Sequence, residues 1–404
     1  DCIEVPLGSA LLEGLILYNQ TQINLKPRRY MNLREQEIER RTANKIPFDL
    51  TYDELFSSRY MDPFFRNYRC KDGRFYYVVS IAHKAHAKRV MQALGVHDEV
   101  MRGIEALGSY PIDNVYLEKS QWGNAGSFET YPVSPEWSMM INKLLEPAFL
   151  QKEAFEWEKI LADAGAVGGV QRSLEEWMLH TEHTRDAGLF VNVKNDPLFG
   201  DVIQPGPIAW LKGRVVEPKP RQFVTPEEAL RSLPAVQEYV EQGERTQAWL
   251  KGVKVLDLCN VIAGPHSAGI MARFGAEVIK VDPVVPNFGP SYITYAFNSG
   301  QSKRSMQVDI RSEQGYEVLK RLISSSDIIV FNATTSQIGR LKLDEASIKQ
   351  INPKAIFCQL DLYGGQGVGE MCNYPGYDDV AQAVSGISAR FGGGLETPEE
   401  HAHL

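Results

Sequence analysis

The chain is 404 residues long, 43% hydrophobic and 23% charged, the make-up of a globular protein with room for two or three cores. Its 43 basic and 51 acidic residues give a net charge of −8, which excludes a general nucleic-acid binder. No apolar run reaches the length of a membrane span, and five cysteines scattered without metal-type spacing fit a reducing, cytoplasmic compartment.

In chain order, Asp1-Cys2-Ile3-Glu4-Val5 opens directly in strand-like sequence and His401-Ala402-His403-Leu404 is loop-like; both are read as ends of a piece of a longer chain. Residues 8–25 carry apolar side chains at helical spacing, and the charged stretch 34–41 reads as a solvated helix face. Residues 67–80 are strand, Lys71-Asp72-Gly73 turn and strand, with Asp-Gly between aromatic and β-branched residues predicting a hairpin. Helical spacing then dominates to about residue 182, clearest in the amphipathic stretch 152–164, and predicts a small α-rich domain. Strand character returns at 188–193, and Pro205-Gly206-Pro207 predicts a rigid turn. Residues 214–234 are Pro-rich and charged, a linker by composition. Within it Thr225-Pro226-Glu227-Glu228 combines an N-cap, a proline at the first helical position and a capping-box glutamate.

From Gly252 a new alternation begins. A strand at 254–258 leads through Asn260-Val261-Ile262-Ala263-Gly264-Pro265 into a helical pattern at Ala268, Met271, Ala272 and Phe274. Gly275 closes that helix, and 278–281 is a second strand. This is a βαβ unit, whose helix start offers backbone amides to a phosphate or carboxylate. Helix at 313–323, strand at 327–331, helix at 343–350 and strand at 355–360 extend it into an α/β fold with a Rossmann-like parallel sheet. The basic pair Lys303-Arg304 beside that sheet suits a large anionic cofactor.

Bland readings stand beside the sharper ones. Asp282 ends the second strand where a ribose-binding acid belongs, but G-x-G-x-x-G is absent: Gly264 and Gly269 are the only glycines in the turn, and Pro265 fills a spacer position, so a nicotinamide oxidoreductase is disfavoured. His83-x-x-His86, His180-x-x-His183 and His401-x-His403 lack acidic or cysteine companions and read as packed or surface histidines, with no metal expected. There is no G-x-S-x-G, and Cys259 reads as a core thiol. Gly392-Gly393-Gly394 reads as a lid or a linker.

Five blocks in order carry a resemblance: VKVLDLCNVIAGPHSAGIMARFGAEVIKVD, NSGQSKRSMQVD, SDIIVFNATTSQIGRL, INPKAIFCQL and YPGYDDVAQAVSGI. Together they resemble the front half of the class III CoA-transferases (the CaiB–BaiF, or formyl-CoA transferase, family). IEVPLGSALLEGL, NYRCKDGRFYYVV, AFEWEKILADAGAVGGVQRSLEEW and GLFVNVKNDPLFGDVIQPGPIAWL resemble the back half. The implied order is a back part of a first large domain at 1–66, a small α-rich domain at 67–187, a return to the large domain at 188–213, a linker and helix at 214–251, and the front, CoA-binding part of a second unit at 252–404.

The resemblance implies transfer of CoA from an acyl-CoA, acetyl-CoA first, to a small carboxylic acid through an aspartyl-CoA intermediate. The back-then-front order is similar to family members with two units fused in tandem, where transfer is coupled to cleavage of dimethylsulfoniopropionate with release of dimethyl sulfide. A carnitine-, formyl- or succinyl-type transferase, or a CoA-binding unit without catalysis, is the alternative. Coenzyme A enters as substrate; neither nucleic acid nor membrane is implied as partner, and the units would interlock as a pseudo-dimer or homodimer with the rest of the chain. The nucleophilic aspartate would fall just past Leu404, because Asp378 and Asp379 match the CoA-pocket segment instead. By the same resemblance Val261 and Ala263 match the turn that contacts CoA, with Ile262 where formyl-CoA transferase has glutamine. Lys303 and Arg304 match a phosphate-neighbouring basic pair, Asn332 and Arg340 line the groove, and Tyr377 matches the pocket tyrosine. Pro283 replaces a residue that is often basic. Trp122, Tyr131 and Trp137 are aromatic candidates for a sulfonium pocket, with core packing as their bland reading.

Overall fold

A computed structural model of the protein describes residues 40, 42–45, 62–80, 83, 85–112, 124–129, 133–211, 218–233, 248–285, 299–364 and 368–395. The helix expected over 8–25, most of the stretch 34–41, Trp122, Tyr131, His401 and His403 lie outside them.

The first region is built on the expected hairpin. β1 (Phe65–Arg69) and β2 (Phe75–Val79) pair antiparallel, and Gly73 closes the turn at φ 82° with its N–H donating to the Cys70 carbonyl at 2.9 Å. That dihedral lies in the left-handed region, which explains the glycine. Helices α1 (His86–Ala93) and α2 (His97–Ala106) follow, then the short paired strands β3 (Tyr110–Pro111) and β4 (Ala125–Gly126). Next come α3 (Pro135–Phe149), which Ser134 caps, α4 (Ala154–Asp163) and β5 (Gly168–Val170). β5 pairs antiparallel with β2. The expected hairpin of the α-rich region therefore gains a third strand, β5, and the boundary drawn after residue 66 falls inside β1. Three residues, two of them glycine, are too short a strand for periodicity to announce.

Aromatic packing fills this region. Tyr68 stacks on Phe149 with centroids 4.5 Å apart, Trp157 meets Phe149 edge-on, and the Tyr68 hydroxyl donates to Asn142 Oδ1 at 2.7 Å. Trp137 is 2% exposed and belongs to the same core, which is the packing reading of that residue. A π-helical turn at Glu176–His180, α5 (Glu182–Asp186) and the antiparallel pair β6 (Phe190–Asp196) and β7 (Gly200–Pro205) complete the region. The linker helix α6 (Pro226–Ser232) has the capping box expected from Thr225 and Glu228.

The second region is the expected parallel sheet. β8 (Lys254–Asp257), α7 (Ala263–Arg273) and β9 (Glu277–Asp282) form the first βαβ unit. β10 (Arg304–Gln307), α8 (Glu313–Ser324) and β11 (Ile328–Asn332) form the next crossover. α9 (Thr335–Arg340) and α10 (Glu345–Ile351) lead into β12 (Ile356–Leu360). Strand order is β10-β9-β8-β11-β12 and all four pairings are parallel. α11 (Asp378–Val384) and α12 (Ile387–Phe391) close the described chain. The glycine run after α12 is that helix's C-terminal turn: Gly392 and Gly394 N–H groups donate to the Ser388 and Ala389 carbonyls, each at 2.8 Å.

The two regions share a core. Tyr77, Val79 and Trp177 from the first pack with Tyr363, Met371, Val380 and Val384 from the second. His183, fully buried on α5, donates from Nε2 to the Tyr363 carbonyl at 2.9 Å and accepts at Nδ1 from the Met371 N–H at 3.3 Å, which fixes its neutral tautomer. This pairing makes His183 a satisfied structural histidine, as expected for the His180–His183 motif. Arg172, buried and bidentate to Glu158, takes its own N–H to the Ala383 carbonyl at 3.1 Å.

Candidate functional site at the strand switch

Parallel strands leave all their C-terminal ends on one edge, and here the order reverses between β8 and β11: the chain steps from β8 to β9 and β10 on one side, and from β11 to β12 on the other. Crossovers diverge at such a point and leave a crevice, where ligands of open α/β sheets bind. The turn at residues 257–263 forms its floor.

That turn is held from every side. Asp257 is fully buried; its Oδ1 accepts from the Cys259 N–H at 2.9 Å and its Oδ2 from Lys303 Nζ at 2.8 Å. Lys280 Nζ reaches across from β9 to the Cys259 carbonyl at 2.6 Å. Asn332, the last residue of β11, accepts from the Asn260 N–H and donates to the Asn260 carbonyl, both at 2.7 Å. Backbone so pinned can hold a disfavoured conformation, and Val261 adopts φ 66°. For a β-branched residue this costs about 1–3 kcal/mol and is the sort of outlier that clusters at ligand sites.

The helix behind the turn lies close to the sheet because its inner face is small. Gly264, Pro265, Ala268 and Ala272 are its buried residues. A Cβ on Gly264 would come within 2.3 Å of Cys259 Sγ, so only glycine fits there. Ile262, at the N-cap position, provides no side-chain cap to the first turn of α7, where Pro265 lacks an N–H and the His266 N–H already donates to the Ile262 carbonyl at 2.8 Å.

The residues singled out from sequence do not all meet at one place. Val261, Ala263 and Asn332 meet at the switch. Lys303 does not offer its charge to a ligand: its side chain is 1% exposed, with the ammonium between Asp257 and the Pro265 carbonyl at 2.5 Å. It neutralises a buried acid and ties α7 to the sheet. Arg304 stands opposite Ile279 in register and turns back to Glu277 at 3.3 Å, and Arg340 is exposed at the far end of α9. Tyr377 precedes α11; its hydroxyl lies 3.4 Å from Nδ1 of His86 on α1, so the first region reaches the start of α11 in the second. Asp282, weighed as a ribose acid, instead accepts from Lys280 at 2.7 Å.

Titration behaviour follows burial. Burial, helped by the charge of Asp257, pushes the Cys259 thiol far up and removes it as a nucleophile. Burial, with Asp378 beside it, raises the Asp379 carboxyl to about 6. His83 is lowered to about 4, first by burial and then by Arg89. Among the described residues no three ligating side chains gather to hold a metal. Sequence reasoning missed Asp257 and Lys280, and read His86 only as half of a histidine pair. The first two were legible as charges inside the apolar strand runs KVLDLC and EVIKVD, since a charge in such a run must find a partner.

These features define a doubly wound α/β unit whose switch-point turn is pinned by side chains from three strands and the loop before β10. The chain belongs to CoA-transferase family III, whose family model matches residues 52–222 and 250–403. It is 42% identical over its whole length to the "CoA-transferase/lyase DddD" of Marinomonas sp. (strain MWYL1), of which it spans 49%. Over 34% of the chain it is 34% identical to human "Succinyl-CoA:glutarate CoA-transferase", spanning 33% of that protein. A solved CAIB/BAIF family protein from Brucella suis is 29% identical with TM-score 0.33, over 36% of this chain and 41% of that one. The chain thus spans about half or less of the relatives it matches.

Proposed function

We propose that residues 252–395 carry the coenzyme-A pocket of a two-unit CoA-transferase, and that the whole protein moves CoA from acetyl-CoA to dimethylsulfoniopropionate and then cleaves it. The observation that supports this most is the pinned turn at the switch point, in a chain similar along its full length to a CoA-transferase/lyase. In this reading the backbone of Val261 and Ala263 lies against the pantetheine arm and Asn332 fixes their position. Arg304 and Arg340 are the candidate phosphate neighbours, while Lys303 acts indirectly, by keeping α7 in place.

The chemistry needs a nucleophilic aspartate, which in this reading lies just past Leu404. Its carboxylate attacks the donor thioester carbonyl; the C–S bond breaks and a mixed anhydride forms. The released thiolate attacks the aspartyl carbonyl, which frees the donor acid and leaves aspartyl-CoA. The acceptor carboxylate repeats the exchange in reverse. Loss of the proton alpha to the new thioester then forms a C=C bond while the C–S bond to the sulfonium breaks, releasing dimethyl sulfide.

The test is intact mass of the full-length protein with acetyl-CoA and dimethylsulfoniopropionate, with headspace analysis. A CoA-sized adduct and released sulfide are expected. Adduct without sulfide would leave a CoA-transferase for another acid, and neither would overturn the reading.

A further inference from the structure

Two regions that belong to separate family matches meet at one pair of polar side chains. Tyr377 comes from the second match and His86 from the first, with Nδ1 and the hydroxyl 3.4 Å apart and the rings tilted at 6.1 Å between centroids. His83 stacks flat on His86, centroids 3.7 Å apart and planes within 12°, and uses its own Nδ1 to accept the Ala85 N–H at 3.2 Å. Stacking on one face and the start of α1 below it leave the His86 ring little freedom to rotate. Its Nε2 has no hydrogen-bond partner among the described residues.

The location is on the ligand side of the sheet. Asn373, four residues before Tyr377, accepts from the Ser336 N–H in the first turn of α9 at 3.0 Å, and Gln359 at the end of β12 donates to the Ala333 carbonyl at 3.1 Å. α9 begins three residues after Asn332, the residue that clamps the switch-point turn. The segment leading to Tyr377 therefore runs along the C-terminal edge of the parallel strands.

We propose that His86 is a positioning residue for CoA transfer: from the small domain it accepts the Tyr377 hydroxyl proton in a hydrogen bond and so sets the wall of the acyl-CoA pocket. This rests on the CoA-transferase reading above. Burial, then His83 and Arg89, hold His86 neutral, and burial keeps Tyr377 a phenol; the Nε2–H tautomer of His86 then leaves Nδ1 to accept from the Tyr377 hydroxyl. The groups facing the imidazole are His83 below it, Arg89 on its own helix and Tyr377 from the second region. Asp378 and Asp379 open the helix that Tyr377 precedes. The consequence is that docking of the small domain and shape of the pocket are one event.

The experiment uses the full-length protein with His86→Phe, His86→Asn, Tyr377→Phe and the His86→Phe/Tyr377→Phe double variant. Acyl-CoA exchange kinetics, calorimetric CoA binding and thermal unfolding are read together. One neutral hydrogen bond corresponds to roughly 2- to 10-fold. His86→Phe and Tyr377→Phe should each lower kcat or CoA affinity by about that factor, the double variant no further, and His86→Asn, with an amide oxygen near the Nδ1 position, should recover most of it. Burial, then His83 and Arg89, hold the His86 pKa well below the ordinary imidazole value, so the wild-type profile should show no step from His86 at that ordinary value. Losses that add in the double variant, or that follow the unfolding temperature alone without rescue by asparagine, would overturn the proposal. If the wild type binds CoA but exchanges none, the transferase reading fails while the binding arm still decides the pair. If it binds no CoA, both fall.

Discussion

The two regions solve the same problem, a buried charge, in opposite ways. In the first, Arg172 and Glu158 are both nearly inaccessible, bidentate, and backed by the Val170 N–H on Glu158 at 2.9 Å. Every bond there points inward, and the pair links α4, β5 and the approach of α11. In the second, Lys303 and Asp257 are equally buried, but their remaining bonds go to the backbone of the turn and of α7. The first pair closes a core, whereas the second shapes an edge. A buried ion pair contributes little net stability against well-packed apolar residues, so what each pair holds in place matters more than its own energy.

The largest effects should come from leaving one partner alone. Lys303→Ala strands Asp257 under the turn and should cost about 3–5 kcal/mol in urea unfolding, with CoA binding lost alongside; Arg172→Ala should cost a similar amount. The comparison sharpens with paired apolar replacements. Glu158→Leu/Arg172→Met should restore most of the stability and leave CoA affinity near the wild-type value. Lys303→Met/Asp257→Leu should restore stability but not affinity, because the Cys259 N–H loses its acceptor. Equal recovery of affinity in both double variants would remove the distinction between core and edge.

Smaller changes probe the turn itself. Gly264→Ala pushes a methyl group into Cys259 and should cost about 1–3 kcal/mol. Asn332→Ala removes both bonds to Asn260, and should cost about 1–2 kcal/mol while weakening CoA binding by more than its stability loss suggests. Val261→Gly separates strain from function: it should stabilise the fold by a few tenths to about 1 kcal/mol and still weaken CoA binding, because the unbound turn is freed. A variant that is both more stable and tighter would show that the conformation serves packing alone.

A proton-linked effect belongs to the first region. Asp62 accepts from the Phe64 and Val133 N–H groups at 2.8 Å each, and burial raises its carboxyl to about 6. The folded state then binds the proton more tightly than the unfolded chain between pH 3.8 and about 6, so this group stabilises as pH falls through that window and destabilises above it. The stability difference between wild type and Asp62→Asn should move toward the wild type from pH 7 to 5. Movement the other way in chemical denaturation would mean that the two amides outweigh burial.

Much of the second region was legible in the sequence. KVLDL, EVIKVD and IIVFN are apolar runs bounded by turn residues, and Gly275 at φ 98° closes α7 as its position suggested. The hairpin was equally plain, because Asp72-Gly73 stands between aromatic strands. What stayed hidden depends on distance in the chain. Asp257 meets Lys303 across 46 residues, Asn260 meets Asn332 across 72, and His86 meets Tyr377 across 291, and no local period encodes such contacts. Lys303, expected beside a phosphate, meets the same limit: the buried acid that its ammonium contacts lies 46 residues away in the chain.

The smallest expected effect concerns the other member of that basic pair. Arg304 and Glu277 are 71% and 54% exposed at 3.3 Å, so Arg304→Ala should change stability by less than about 1 kcal/mol. Its register opposite Ile279 and its turn back toward the start of β9 set it below the strand ends where the switch-point turn lies. CoA affinity should therefore fall less in Arg304→Ala than in Asn332→Ala, with Arg340→Ala between them, and the salt dependence of binding should drop mainly in Arg340→Ala. If Arg304→Ala instead loses tenfold or more and flattens the salt dependence, the phosphates run along the β10 edge of the sheet. The contrast between a core that only packs and an edge that only binds would then have to include the outer strand as part of the binding surface.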